Sequence, residues 1–284
     1  MPRSNIVTPK DDTMRFALIL TALLILAGCA SKPDTAELTE AEHYRQAHKT
    51  LNEEAFLAAI EDLEEVRSRF PYGEYAEQVQ LDLIYAHYRN HDYPSTIAAA
   101  ERFIRNYPNH QRLDYPLYMK GLANFYLDRG LLNRIFPRDR AARDMQSGKD
   151  AFSALRELVN RFPDSEYAPD ARARMLFIRN NLAEHELHAA RYYARRGAHI
   201  AAANRARHVI VHYQRTPAVP EALAIMTRAY QELDQKELGQ QSLKVLRENW
   251  PESDYLNADG EVELAWWPGP ESKGLLSLLT FDLL

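Results

Sequence analysis

The sequence predicts an all-α protein, a right-handed α–α superhelix of about five helical hairpins stacked in a row. Three observations carry that reading. After Glu37 the apolar residues recur at helical spacing, with few glycines and few β-branched runs. A pattern of one small residue, two packing residues, an aromatic and usually a proline recurs five times in register. Each copy also ends where a helix must end, because proline lacks an N–H and restricts the residue before it.

The chain opens on a different kind of element. Met14-Arg15 precedes an apolar run, Phe16 to Ala27, which closes on Leu26-Ala27-Gly28-Cys29. A short cationic start, a twelve-residue apolar stretch and small residues before a cut describe an export signal. The run is too short for a permanent span, which needs about 20 apolar residues. Cys29 is the only cysteine, so an internal disulfide is excluded. These four residues look like a bacterial lipobox, in which the thiol is linked to diacylglycerol and the new amine is acylated. Residues 1–28 are therefore expected to be a lipoprotein signal peptide, and 29–37 a lipidated linker. Asp11 and Asp12 do not suit a cationic start, which points to Met14 as the first translated residue. Ala30 follows the cysteine where, in enteric-type sorting, aspartate marks retention at the inner membrane, so the outer membrane is expected.

The repeats fill 38–251. The first copy is Ala59, Leu63, Val66, Phe70 and Pro71, and the second is Thr96, Ala100, Phe103, Tyr107 and Pro108. The third is Ala151, Leu155, Leu158, Phe162 and Pro163. The fourth is Ala202, Ala206, Val209 and Tyr213, with Gln214 in the proline position, and the fifth is Gly239, Leu243, Leu246, Trp250 and Pro251. Offsets of 0, 4, 7 and 11 share one helical stripe, so each copy reads as the second helix of a hairpin facing a neighbour. The pattern is similar to the tetratricopeptide repeat. Aromatic-to-aromatic spacings of 37, 55, 51 and 37 enlarge two repeats. The first excess falls on Arg129–Arg143, read as a loop with a short turn, and the second on a long helix from about Ala168 to Arg196. Residues 252–284 lose the periodicity and read as a largely disordered tail, with a final apolar segment suited to docking on the solenoid or a partner.

Composition narrows the function. The formal net charge is −5. Removing Arg3, Lys10 and Arg15 together with Asp11 and Asp12 leaves a mature chain near −6, so nucleic acid is not expected as a partner. Residues 37–65 carry nine acids against Arg45 and Lys49, whereas 129–215 carry seventeen Lys and Arg against nine acids. Such asymmetry gives solvated faces of opposite sign, which also steer partners to different ends.

Catalytic and metal-binding patterns are weak. His185-Glu-Leu-His188 has the wrong spacing for a zinc helix, which needs two histidines four apart with glutamate beside the first. His87/His91 and His208/His212 have that spacing but no such glutamate and no third ligand, so surface or capping roles are expected. Glu53-Glu54 and Glu64-Glu65 are expected to lie on an acidic helix and read as solvated charges rather than an acid/base pair. No cofactor, no metal and no catalytic residue is expected. Tyr72, Tyr75, Tyr85, Tyr88 and Tyr93 read mostly as packing residues, with some available to line a groove for an extended peptide.

Several stretches are more specific than a generic repeat. Gln78–Arg89, Arg102-Phe-Ile-Arg105, Asp114–Gly121 and Tyr192–Gly197 with Asn204-Arg205 resemble the BamD family, helical lipoproteins of the outer-membrane β-barrel assembly machinery. That resemblance implies five tetratricopeptide repeats, lipid-anchored through Cys29 on the periplasmic face of the outer membrane. It implies docking on the POTRA region of a BamA-like barrel subunit, contact with small lipoproteins of the complex, and binding of unfolded outer-membrane proteins. The partner-contacting pair maps to Asn204 and Arg205, and the substrate-peptide surface to Phe70, Pro71, Tyr72 and Gly73. Leu57 departs from the family pattern, which has an arginine in the substrate groove. A repeat lipoprotein that organises division or peptidoglycan machinery is the alternative, and an envelope hydrolase on a helical frame is a further one.

Overall fold

The computed structural model describes residues 38–127 and 145–268. The signal segment with Cys29, the 29–37 linker, the Arg129–Arg143 loop and the final apolar segment lie outside the described residues. The described residues form ten α-helices: α1 (Glu40–Asn52), α2 (Phe56–Arg69), α3 (Ala76–Arg89), α4 (Tyr93–Asn106) and α5 (Asp114–Leu127), followed by α6 (Gln146–Arg161), α7 (Ala168–Arg195), α8 (His199–His212), α9 (Val219–Glu232) and α10 (Lys236–Asn249). Each packs chiefly on the helices before and after it, and α3–α5 and α7–α9 also touch. The architecture is the row of five hairpins that the sequence predicts. Among the described residues no helix is long and apolar enough to cross a membrane.

The repeat motif has a local cause. Phe70, Tyr107, Phe162, Tyr213 and Trp250 are the C-caps of α2, α4, α6, α8 and α10. Each donates its backbone N–H to the carbonyl four residues back, and the chain then leaves the helix. At the other end of the motif Ala59, Thr96, Ala151, Ala202 and Gly239 are all buried, so the small residue is where helices approach closely. Full burial of Phe103, Leu155 or Leu158 stabilises the stack by about 1.5–3 kcal/mol each.

The turns inside hairpins repeat as well. Glu54, His91, Gly197 and Asp234 each adopt positive φ after the first helix. The next N–H reaches back five residues, from Ala55 to Thr50, Asp92 to His87, Ala198 to Tyr193 and Gln235 to Tyr230, at 2.9–3.2 Å. This is the Schellman helix stop, which satisfies carbonyls the helix would leave open. These four hairpins thus reverse in the same way whether or not glycine is present.

Helix α7 is twice the usual length, at 28 residues, as the spacing predicts. Its first half packs Ala168, Ala171, Ile178 and Leu182 into the core shared with α5 and α6. Its second half packs Ala183, Leu187, Ala190 and Ala194 into the core shared with α8 and α9. One continuous helix therefore belongs to two cores.

The tail corrects the sequence reading. Residues 252–268, expected to be disordered, fold back on the last two hairpins. Leu256 and Val262 form an antiparallel bridge around a turn with Gly260 at φ 74°. Arg247 of α10 donates to the Gly260 carbonyl and pairs with Glu261. Leu264 and Trp267 are buried, and Trp267 stacks on His199 with ring centres 5.7 Å apart. A solenoid exposes apolar surface at its last repeat, and this segment covers it.

Candidate functional site

The Phe70–Gly73 turn divides its residues between core and surface. Phe70 packs into the first core and lies 5.7 Å from the His43 ring of α1. Tyr72 is 98% exposed. Gly73 has a steric reason. The Glu40 carboxylate fills the place of a Cβ there and accepts N–H bonds from Glu74 (3.2 Å) and Tyr75 (2.9 Å) at the start of α3. Negative charge at a helix N-terminus is favourable, so α1 fastens the next hairpin through this contact. Of the four sequence-predicted residues, Tyr72 alone presents a large free side chain.

At the opposite end of α2 and α3 runs a row of aromatic side chains that the sequence suggests only in part. Phe56 meets Tyr85 edge-on at 6.1 Å, and the Arg89 guanidinium lies 4.6 Å from the Phe56 ring centre. Tyr93 bridges Tyr88 (5.9 Å) and Tyr126 (6.0 Å), and Phe125 meets Phe177 at 5.7 Å. Arg174 sits 5.0 Å from the Phe125 ring centre and pairs with Asp170. The row spans residues of α2, α3, α4, α5 and α7. Burial, then the neighbouring Tyr126 and Tyr93 hydroxyls, push the Tyr88 hydroxyl up to about 12, so it stays a protonated donor at neutral pH. Leu57 is exposed beside Phe56. A guanidinium is present at that end nonetheless, because Arg89 reaches across and pairs with Glu54 at 3.2 Å. Glu54 is a turn residue and not, as its sequence context suggests, part of an acidic helix.

The second surface is α8. Its buried stripe is Ala202, Ala206 and Val209, and its opposite side exposes Ile200 (64%) and Val211 (57%) with Asn204 and Arg207 between them. Ile200, Asn204, Arg207 and Val211 follow i, i+4, i+7, i+11 spacing, so one solvent-facing stripe carries an aliphatic residue at each end, a signal present in the sequence itself. Arg205 lies on another flank, about 100° round the helix from Asn204, where α8 meets α7. Its Nη1 donates to the Glu186 carboxylate of α7 at 3.0 Å. Hydrogen bonding to Glu186 holds the guanidinium pKa above its ordinary value. His208 and His212 lie 4.2 Å apart, and burial lowers the His208 pKa despite the nearby Glu186.

A buried network ties this end to the tail. Arg191 of α7 grips Glu221 of α9 with Nε and Nη2, at 2.6 and 2.5 Å, and gives Nη1 to Glu184 at 2.7 Å. The Tyr255 hydroxyl donates to the same Glu221 carboxylate at 3.1 Å. Among the described residues no group of three or more His, Cys, Asp or Glu converges as metal ligands do. Cys29 lies outside the described residues.

The sequence matches the family model described as YfiO, outer membrane lipoprotein, over residues 36–246. The chain belongs to this family. The protein named outer membrane protein assembly factor BamD of Neisseria gonorrhoeae is 39% identical over 263 residues, which is 89% of this chain and 98% of that protein. The Vibrio cholerae protein of the same name is 43% identical over 215 residues, 75% of this chain and 89% of its own. That of Pasteurella multocida is 41% identical over 232 residues, 82% of this chain and 89% of its own.

Proposed function

We propose that the chain is a lipid-anchored, non-catalytic scaffold of the outer-membrane protein assembly machinery. It receives unfolded β-barrel proteins at its first hairpins and docks through α8 on the POTRA region of a BamA-like barrel subunit. The carrying observation is similarity along nearly the whole length of relatives named as outer membrane protein assembly factors. Cys29 supplies the anchor on the periplasmic face of the outer membrane, because several acyl chains together give stable attachment without a span.

The two surfaces suit the two tasks. Tyr72 and the aromatic row offer flat apolar faces with hydroxyl and guanidinium edges, which grip an extended chain of alternating character without demanding one sequence. Helix α8 offers aliphatic ends around Asn204 and, on another flank, Arg205, the composition of an interface centre, where a guanidinium meets a partner carboxylate. Small lipoproteins of the complex are further partners on this reading.

A photocrosslinker at position 72 should capture the C-terminal peptide of an outer-membrane protein. Arg205→Glu should abolish co-purification with the barrel subunit and leave helicity intact. No capture at 72 together with unchanged co-purification would reject the reading and favour a scaffold for other envelope machinery.

A further inference from the structure

We infer that Glu186 is a positioning residue for Arg205, holding one edge of the guanidinium so that the remainder is presented ready-set at the docking surface. This rests on the docking role proposed for α8.

The two residues are nineteen positions apart on different helices and meet at 3.0 Å. Their environments differ. The Glu186 side chain is only 12% exposed, whereas the Arg205 side chain is 47% exposed. A carboxylate that deep needs a cation or several donors, because an unpaired buried charge is costly. Arg205 meets that need through Nη1. Tyr213 and His208 also feel the same carboxylate.

The consequence for docking follows from the shape of arginine. Its fork carries five donors, and one hydrogen bond to Glu186 leaves the group able to serve a second carboxylate. An arginine alone on a helix surface samples many rotamers and gives up that freedom when a partner captures it. Anchored from beneath, Arg205 has already lost it. Glu186 itself sits on α7, whose second half is fixed by the Arg191–Glu221 pair, so the anchor point is rigid.

The test is a titration of the full chain, in detergent, with the purified POTRA region of the barrel subunit. Glu186→Ala should weaken binding about fivefold to tenfold, in keeping with the cost of immobilising one long side chain. Glu186→Gln keeps an acceptor for Nη1 and should stay within about twofold of the parent chain. Arg205→Ala should weaken binding further, and adding Glu186→Ala to it should cost nothing more. If Arg205→Ala weakens binding while Glu186→Ala does not, the positioning role is overturned and the docking role stands. An equal loss from Glu186→Ala with and without Arg205 would assign Glu186 to general stability and overturn it too. If Arg205→Ala changes nothing, both readings fall together.

Discussion

The carboxylate of Glu40 occupies the space that a side chain on Gly73 would need, and from there it accepts hydrogen bonds from the N–H groups of Glu74 and Tyr75, the two residues that lead into α3. A glutamate at the start of the first helix and a glycine thirty-three residues later are thus one structural unit. Gly73→Ala should expel the Glu40 carboxylate and lose its hydrogen bonds to Glu74 and Tyr75, destabilising the protein by about 1 kcal/mol. Glu40→Ala should cost a similar amount, and the pair together little more than either alone. Urea denaturation of the three variants checks this, with Tyr72→Ala as an exposed control that should change stability little.

Arg191 and Glu221 form a two-pronged pair in which Glu221 is almost wholly buried. Removing Arg191 leaves the buried Glu221 carboxylate without its cation, so Arg191→Ala should cost about 3–5 kcal/mol. After Glu221→Ala the partly exposed Arg191 still pairs with Glu184, and the loss should be smaller. Replacing both with apolar residues of similar volume, Arg191→Met with Glu221→Leu, should recover most of that loss. Equilibrium unfolding of the single and double variants distinguishes the two results.

Trp267 gives the tail its grip, lying buried against His199 and under the Arg228 guanidinium. Trp267→Ala should destabilise the last two hairpins by about 3 kcal/mol, in the range for buried aromatics. Amide hydrogen exchange should quicken in α9 and α10 and stay unchanged in α1 to α4. Uniform quickening along the chain would show that the segment does not act as a local cover.

His87 has its pKa lowered by burial, with Asp92 and Glu64 partly opposing the shift. The unfolded chain binds a proton near pH 6.5, where the folded chain still resists it. This contribution is therefore complete above about pH 6.5 and lost as pH falls below it, toward the depressed folded value. Asp92, with its pKa lowered by the Ser95 hydrogen bonds, adds a second loss at lower pH, below the ordinary carboxylate value. Thermal unfolding between pH 7.5 and 5.5 should show a falling midpoint, and His87→Gln should flatten that slope.

Much of the fold was legible because the repeat is local. Five aromatics mark five helix ends, and a small residue eleven positions earlier marks each close approach. The double-length helix was legible from spacing alone. Other features were not, for identifiable reasons. Glu54, His91 and Asp234 take left-handed backbone with no glycine to announce it. The tail has no helical period because tertiary contacts of Trp267 and Leu264 hold it, not its own backbone ladder. At the candidate site, Arg205 could be picked out by its motif, but its partner Glu186 could not. That pairing depends on how α7 and α8 are registered, which no short-range pattern encodes.

Helix α7 gives the molecule a common axle. Adding a single amino acid between Leu182 and Ala183 would turn everything beyond it by about 100° relative to the first three hairpins. Glu186, Arg191 and the whole of α8 would then be swung away from their present bearings, although no contact had been edited. The aromatic end and the α8 end are in this sense geared together, and lengthening or shortening that shaft is a way to retime one against the other.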